Sequence, residues 1–212
     1  MKKHNTLKVW EVPNSRIVIT LRNSNILSDI ACGVSFKERK NSKNLSWNVY
    51  TVSGEDEFNA IETLLAKTQE ASEKWWEILQ LIQSSNINEI KIKNAIDWWN
   101  FPNDKNYDFD KKTFQMLLNL KYNNLEIIFL YSKDIRKYCA CLYDNTNDNI
   151  LFKASASGLR EKALNNLNNV IVTSGAYLDK IQKGAWEALI DRENPNNGAR
   201  LDLRTGTLLL TK

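Results

Sequence analysis

Apolar and polar residues alternate through the first fifty positions, which is the pattern of β-strands with two different faces. Four strand-like runs follow one another, at residues 6–12, 16–22, 30–37 and 45–52. The turn residues Pro13–Ser15 separate the first two runs, and the polar loop at residues 38–44 separates the last two. Runs of β-forming residues joined by turn residues are typical of hairpins. The sequence therefore predicts an N-terminal antiparallel sheet made of two hairpins.

The fourth run has two faces of different composition. Strict alternation places one set of side chains together: Leu45, Trp47, Val49 and Thr51. It places the other set on the opposite face: Asn48, Tyr50 and Val52. Because apolar residues occur in both sets, both faces of this strand are expected to be partly covered.

Beyond residue 53 the spacing of apolar residues changes to a helical period. The recurring positions, three and four residues apart, are Phe58, Ile61, Leu64, Leu65, Thr68, Ala71, Trp75, Leu79 and Ile82. Ser53 can cap the start, and acidic residues at positions 55–57 fall in the first turn, where a helix favours negative charge. The pattern predicts a helix over about residues 55–84, long enough to be the central element of the fold.

Short strands and helices share the rest of the chain. The predicted strands lie at residues 87–92, 125–131, 138–143, 150–155, 170–173, 200–203 and 207–210. The predicted helices lie at residues 95–99, 110–120, 159–168 and 176–191. Because hairpins and helices come in blocks, the sequence predicts an α+β fold, with N-terminal antiparallel β-hairpins packed on the long central helix and a mixed C-terminal portion after it. We expect one domain over residues 1–212, with a sub-boundary, if there is one, in the polar break at residues 102–108.

Composition places the chain among globular proteins. It has 212 residues, of which 42% are hydrophobic and 25% are charged, close to ordinary globular usage. No run approaches the ~18 apolar residues that a membrane helix needs, and residues 1–12 lack the apolar stretch of a secretory signal. The three cysteines, Cys32, Cys139 and Cys141, do not form a disulfide framework and suit a reducing compartment. The expected location is the cytoplasm, with no membrane contact.

The residues that the chain lacks exclude several kinds of catalytic site. His4 is the one histidine, so a serine or cysteine nucleophile would have to recruit it as its base. The sequence contains no GxGxxG, no phosphate-binding P-loop and no HExxH motif. Cys139 and Cys141 are two ligands short of a zinc site and are predicted to be buried thiols. We therefore predict no cofactor, no metal and no catalytic residue, and favour a binding role over an enzyme.

Positive charge concentrates in the predicted N-terminal sheet. Residues 1–52 carry a net charge of +6, whereas residues 53–212 carry −2. Six residues of the second hairpin combine cations with rings: Lys37, Arg39, Lys40, Lys43, Trp47 and Tyr50. Cations neutralise phosphates and rings stack on unpaired bases, so the sequence predicts a protein that binds DNA or RNA, with Arg16 and Arg22 extending the surface. The alternative interpretation is a solvated basic loop beside a core tryptophan.

Two other functions remain open. Asp29 and the segment Glu38–Lys40 loosely match the acidic-plus-ExK arrangement of magnesium-dependent nucleases, although the helix that usually precedes it is missing. The adjacent pairs Trp75–Trp76 and Trp98–Trp99 favour a protein-interaction or assembly module on the long helix. Neighbouring helical residues point about 100° apart, so Trp76 and one of Trp98 and Trp99 would face a protein partner. The alternative for these rings is a wide buried face.

Overall fold

The computed structural model describes residues 6–23, 29–37, 45–95, 117–118, 124–193, 199–202 and 207–210. The chain divides into two compact units, one made of Met1–Glu70 and Tyr177–Lys212 and the other of Ala71–Ala176. Each unit contains a four-stranded sheet, and the division falls within two long helices. The predicted α+β class is confirmed. The sub-boundary predicted at residues 102–108 lies outside the described residues, and the single domain stays a prediction.

The first unit begins with an antiparallel sheet, as the alternating pattern predicts. Its strands are β1 (Thr6–Glu11), β2 (Ile17–Asn23), β3 (Ile30–Lys37) and β4 (Leu45–Gly54), in the order β1-β2-β3-β4. Asn14 makes the turn between β1 and β2 with φ 57°, a left-handed conformation that asparagine tolerates better than most residues. Both predicted hairpins are therefore present, and β1 and β4 are the edge strands.

The two faces of this sheet differ in chemistry. Residues paired across neighbouring strands share a face, and the pairs Ile19–Val34 and Ile17–Phe36 are apolar. We call their side the helix face, and the opposite side, which carries the pairs Val18–Ser35, Thr20–Gly33 and Arg22–Ala31, the polar face. Both faces are buried along the centre of the sheet, since every residue from Ile17 to Leu21 is buried.

Helix α1 (Glu57–Ser84) follows β4, as predicted. Its N-terminal cap is Asp56, whose Oδ1 accepts the backbone N–H of Asn59 at 2.8 Å. Ser53 is not the cap because β4 continues through it to Gly54. Phe58 lies outside the buried face and is 37% exposed. The buried positions of α1 are Ala60, Ile61, Leu64, Thr68, Ala71, Ile78, Leu79 and Ile82.

The second unit contains a mixed sheet. Its strands are β5 (Lys91–Asn94), β6 (Leu125–Ser132), β7 (Lys137–Asp144) and β8 (Asn149–Lys153), in the order β5-β6-β7-β8. β5 is parallel to β6, and the other neighbours are antiparallel. The strand predicted at residues 87–92 starts later than expected because Asn86 makes a turn, accepting the backbone N–H of Asn88 at 3.1 Å.

Helix α2 (Arg160–Glu193) corrects the sequence prediction for the last third of the chain. The predicted helix at 159–168, strand at 170–173 and helix at 176–191 are one continuous helix. Val170–Thr173 contains β-branched residues, but their propensity cost of roughly a few tenths of a kcal/mol each is small beside the burial gained. The buried positions keep a helical period through this stretch: Ala163, Leu167, Ile171, Ser174, Leu178, Ile181, Ala185 and Ala188.

Helix α2 approaches the first sheet within the first unit. Gly184 lies so near the helix face that a Cβ atom there would stand 2.6 Å from Val12 Cγ2 and 3.4 Å from Ile19 Cγ1. Tyr177 contacts Phe36 with 6.2 Å between ring centroids. A final hairpin, β9 (Ala199–Asp202) and β10 (Thr207–Leu210), matches the predicted one. Among the described helices, none is long and apolar enough to cross a membrane.

Gly175 has no room for a side chain, so Gly175→Ala is expected to destabilise the protein. An added Cβ would stand 2.3 Å from ring carbons of Trp75, whose Nε1 donates to the Ile171 carbonyl. Displacing this ring should cost about 1–3 kcal/mol, more than the ~1 kcal/mol that alanine gains in helix propensity. Urea denaturation measures the difference. In the control Gly158→Ala, nothing lies within 4 Å of the new Cβ, and stability should stay unchanged; equal stability of both variants would contradict the packing argument.

Asp191 is expected to make the first unit weaker in acid. Its Oδ2 accepts hydrogen bonds from Lys8 and, at 3.0 Å, from Trp10 Nε1, and the bond from Lys8 is the main reason that its pKa is lowered. A carboxylate whose pKa is lower in the folded protein contributes stability above its unfolded pKa of about 3.9. This contribution is lost as the pH falls through the folded pKa. Asp191→Asn should therefore lower the free energy of unfolding by up to about 1 kcal/mol at pH 7, because the pair is partly exposed.

The same substitution should flatten the dependence of stability on pH below about pH 4. Chemical denaturation at pH 7 and at pH 3 measures both effects. If wild type and Asp191→Asn lose the same stability between these pH values, the carboxylate is not responsible for the acid sensitivity.

Candidate nucleic-acid interface

The accessible polar groups of the first sheet lie around the rim of the polar face. Thr20 and Ser35, in the centre of this face, are fully buried. Thr51 and Ser53 on the edge strand β4 are exposed, and so is Arg16, which precedes β2. A ligand can therefore reach this face at its edges and at the end where β3 leads into residues 38–44.

Lys37 stands at that end of the sheet and already has an acidic partner. Its Nζ lies 2.6 Å from Glu11 Oε1, and its side chain is only 11% exposed, whereas that of Glu11 is 67% exposed. The carboxylate of Glu11 is thus the accessible half of the ion pair. Lys37 holds β1 and β3 together across β2, and its positive charge is largely compensated by this contact.

Arg16 is joined to Lys37 by two hydrogen bonds. The backbone N–H of Lys37 donates to the Arg16 carbonyl at 2.8 Å, and Arg16 Nε donates to the Lys37 carbonyl at 2.8 Å. These bonds place the exposed guanidinium beside the point where β3 ends and the basic stretch 38–44 begins. The sequence indicated Arg16 only as an extension of the surface; the hairpin register joins it to Lys37, the last described residue before that stretch.

The two predicted ring residues are both paired with β3. Tyr50 pairs with Val34, on the helix face, and the backbone of Trp47 pairs with Phe36. Tyr50 is half-buried and close enough to Lys67 of α1 to interact with it electrostatically. The pairing skips Val49, which shifts the register of β4 between Asn48 and Tyr50. Lys37 lies on the polar face, so Lys37 and Tyr50 are not brought together.

The remaining predicted cations give a mixed picture. Arg39, Lys40 and Lys43 lie outside the described residues, so their part in a binding surface stays a prediction. Arg22 lies on the polar face two residues from Thr20, and its Nε is buried without a hydrogen-bond partner in the described structure. Leaving a buried N–H of a charged group without a partner is energetically costly. Arg22 could therefore donate a hydrogen bond to an anionic ligand.

The nuclease hypothesis remains a prediction because most of its residues fall outside the description. Asp29 lies immediately before β3 and is partly buried, whereas Glu38 and Lys40 are not described. Among the described residues, no group of three or more histidine, cysteine, aspartate or glutamate side chains is placed to hold a metal ion.

Cys139 and Cys141 are buried thiols, as predicted, and Cys32 is buried as well. The sulfur atoms of Cys139 and Cys141 lie 3.9 Å apart on one face of β7. A hydrogen bond with Cys139, together with burial, raises the pKa of Cys141, and burial raises the pKa of Cys32 to about 12. Cys32 and Cys141 therefore stay protonated at neutral pH and are poor nucleophiles.

One ring of the first tryptophan pair is accessible. Trp75 is half-buried and donates a hydrogen bond to Ile171, whereas Trp76 is 54% exposed and contacts Trp75 edge to face. Trp98 and Trp99 lie outside the described residues. The protein-interaction surface predicted from the sequence thus has one described member, Trp76.

Comparison with known proteins gives no relative from which a function could be transferred. No protein-family model, no curated protein and no solved structure matches the chain. The features left to indicate a function are the rim of the first sheet, where Arg16 is bonded to Lys37 directly before the basic stretch 38–44 in the sequence, and the exposed rings of the helices.

Proposed function

We propose that this protein binds nucleic acid through the end of its first sheet. The observation that supports the proposal is the pair of hydrogen bonds that fixes exposed Arg16 against Lys37, directly before Arg39, Lys40 and Lys43. Arg16 is fixed next to Lys37, and three further cations follow Lys37 within six residues of the sequence. We infer that they act together as one positive surface. Such a surface attracts the phosphate backbone of DNA or RNA and releases its counterions on binding.

Phosphate contacts carry this proposal, and base stacking is secondary to it. Arginine suits a phosphate because its planar guanidinium donates two parallel hydrogen bonds. Trp47 and Tyr50 belong to β4, an edge strand, so their rings would add stacking only for bases that reach the sheet from that edge. Contacts of this kind do not read sequence, and the expected ligand is nucleic acid of any sequence.

Glu11 has an opposing effect at the same end of the sheet. Its exposed carboxylate lies next to Lys37 and would repel a phosphate that approaches Arg16. The affinity of the surface is therefore set by the balance between Glu11 and the surrounding cations, which gives the proposal a second, independent test.

Removing three cations of the basic stretch should weaken binding and its salt dependence. The variant Arg39→Ala, Lys40→Ala, Lys43→Ala should lower the slope of log affinity against log salt by about 2 for a single-stranded oligonucleotide, because each lost phosphate contact contributes about 0.7. Fluorescence anisotropy at 50 to 200 mM salt measures the slope. The matched control changes three exposed lysines of the second unit, Lys133, Lys137 and Lys162, to alanine, with the same change in net charge. Equal slopes for the two variants would refute the proposed interface.

Neutralising Glu11 should strengthen binding. Glu11→Gln keeps the size of the side chain but frees the Lys37 ammonium for a phosphate, so we expect an affinity several-fold higher and a slope steeper by up to about 0.7. The control Glu126→Gln removes the carboxylate that pairs with Lys91 on the second sheet and should leave affinity unchanged. Weaker binding by Glu11→Gln would mean that Lys37 acts only as a structural partner of Glu11.

A further inference from the structure

Both long helices contain the same four-residue pattern with the same distribution of burial. The segments are Trp76–Leu79 in α1 and Trp186–Leu189 in α2, each reading Trp-Glu-x-Leu. The tryptophan is half-exposed in both, at 54% and 49%, while the two residues at the end of each segment are buried. Each helix also follows the strands of a four-stranded sheet in the chain.

The residues three positions before the two tryptophans carry opposite charges. Three residues before Trp76 stands Glu73, and three residues before Trp186 stands Lys183, both exposed one turn away on the same side of their helix. Lys180, one turn before Lys183 in α2, is a second exposed cation. Its Nζ lies 5.5 Å from the centroid of the Tyr177 ring. We call Glu73 with Trp76 the acidic tryptophan surface, and Lys180, Lys183 and Trp186 the basic tryptophan surface.

We propose that the acidic tryptophan surface of one copy of this chain binds the basic tryptophan surface of a second copy. Burying a half-exposed aromatic ring in an interface contributes binding free energy. Tryptophan is among the residues most enriched at the positions that carry this energy. The charged pair, Glu73 with Lys183, contributes little energy at an exposed position but fixes the orientation and excludes wrong partners.

Charge complementarity also decides which surfaces meet. Two basic surfaces facing each other would bring Lys180 and Lys183 against their own copies, and two acidic surfaces would do the same with Glu73. Each contact therefore joins different surfaces on the two copies. Two copies can make this contact twice, in a closed symmetric dimer, or once, in which case the pair keeps one surface of each kind unused and association continues into a ring or an open chain.

Sedimentation velocity of the full chain over a range of concentrations at 50 mM and 500 mM salt tests the proposal. The protein is first treated with nuclease, so that bridging by nucleic acid is removed. We expect dimers or larger oligomers at low salt and fewer at high salt, and Trp76→Ala or Trp186→Ala should each lower the association constant about tenfold or more. Thermal melting checks that both variants stay folded. A chain that stays monomeric at 100 μM, or associates equally well without either ring, overturns the proposal, as does association that disappears with nuclease.

Mixing the two variants gives the sharpest outcome. Trp76→Ala retains a basic surface and Trp186→Ala retains an acidic one, so an equimolar mixture can form one intact contact and no more. We expect the mixture to form heterodimers that do not grow, while each variant alone remains monomeric. Growth beyond the dimer, or no association in the mixture, is incompatible with a heterologous contact through these rings.

A charge exchange distinguishes this contact from non-specific attraction. Glu73→Lys and Lys183→Glu should each weaken association, and the double variant, in which the two charges are exchanged, should recover most of it. The control variants Glu62→Lys and Lys162→Glu change exposed residues that lie 14 and 24 positions from the tryptophan on their own helix, and they should have no effect. Failure of the double variant to recover would show that Glu73 and Lys183 do not meet.

Discussion

The close approach of α2 to the first sheet at Gly184 is the constraint on which the organisation of the first unit depends. A Cβ there would stand 2.6 Å from Val12 Cγ2, directly after β1, so any larger residue would have to displace that side chain. The approach lets α2 cover the apolar helix face, and burial of such a surface contributes about 25 cal/mol per Å². Once that face is apolar and covered, the charged groups of the strands are confined to the opposite face and the rim, which is where Arg16 and Lys37 lie.

Much of the fold could be predicted because periodicity reports directly on which side of an element is buried. The alternation of Ile17, Ile19 and Leu21 indicated β2, and the helical spacing from Ile61 to Ile82 indicated α1. The prediction failed at residues 170–173, where β-branched residues precede a glycine. Both features usually end a helix, but Gly175 is there because Trp75 occupies the space beside it. That reason is a tertiary contact between residues about a hundred positions apart, which no local pattern contains.

At the candidate interface, too, some features are visible in the local sequence, whereas others depend on contacts between residues far apart in the chain. The crowding of Lys37, Arg39, Lys40 and Lys43 is visible in the sequence itself. The partner of Lys37 is not, since Glu11 becomes its neighbour only through the register of two hairpins. The side of the sheet on which Tyr50 lies depends on one extra residue at Val49, and a single bulge moves every later side chain of β4 to the opposite face.

The order of the two units along the chain has a consequence for synthesis. The first unit is completed by Tyr177–Lys212, whereas the second unit is contiguous within Ala71–Ala176. On the ribosome the chain emerges from its N-terminus, so the strands of the first sheet appear long before the part of α2 that covers them. Until then the apolar side chains that Gly184 approaches, Val12 and Ile19, lack this helix as a cover. The nascent protein therefore passes through a stage in which part of its apolar surface is accessible to a chaperone.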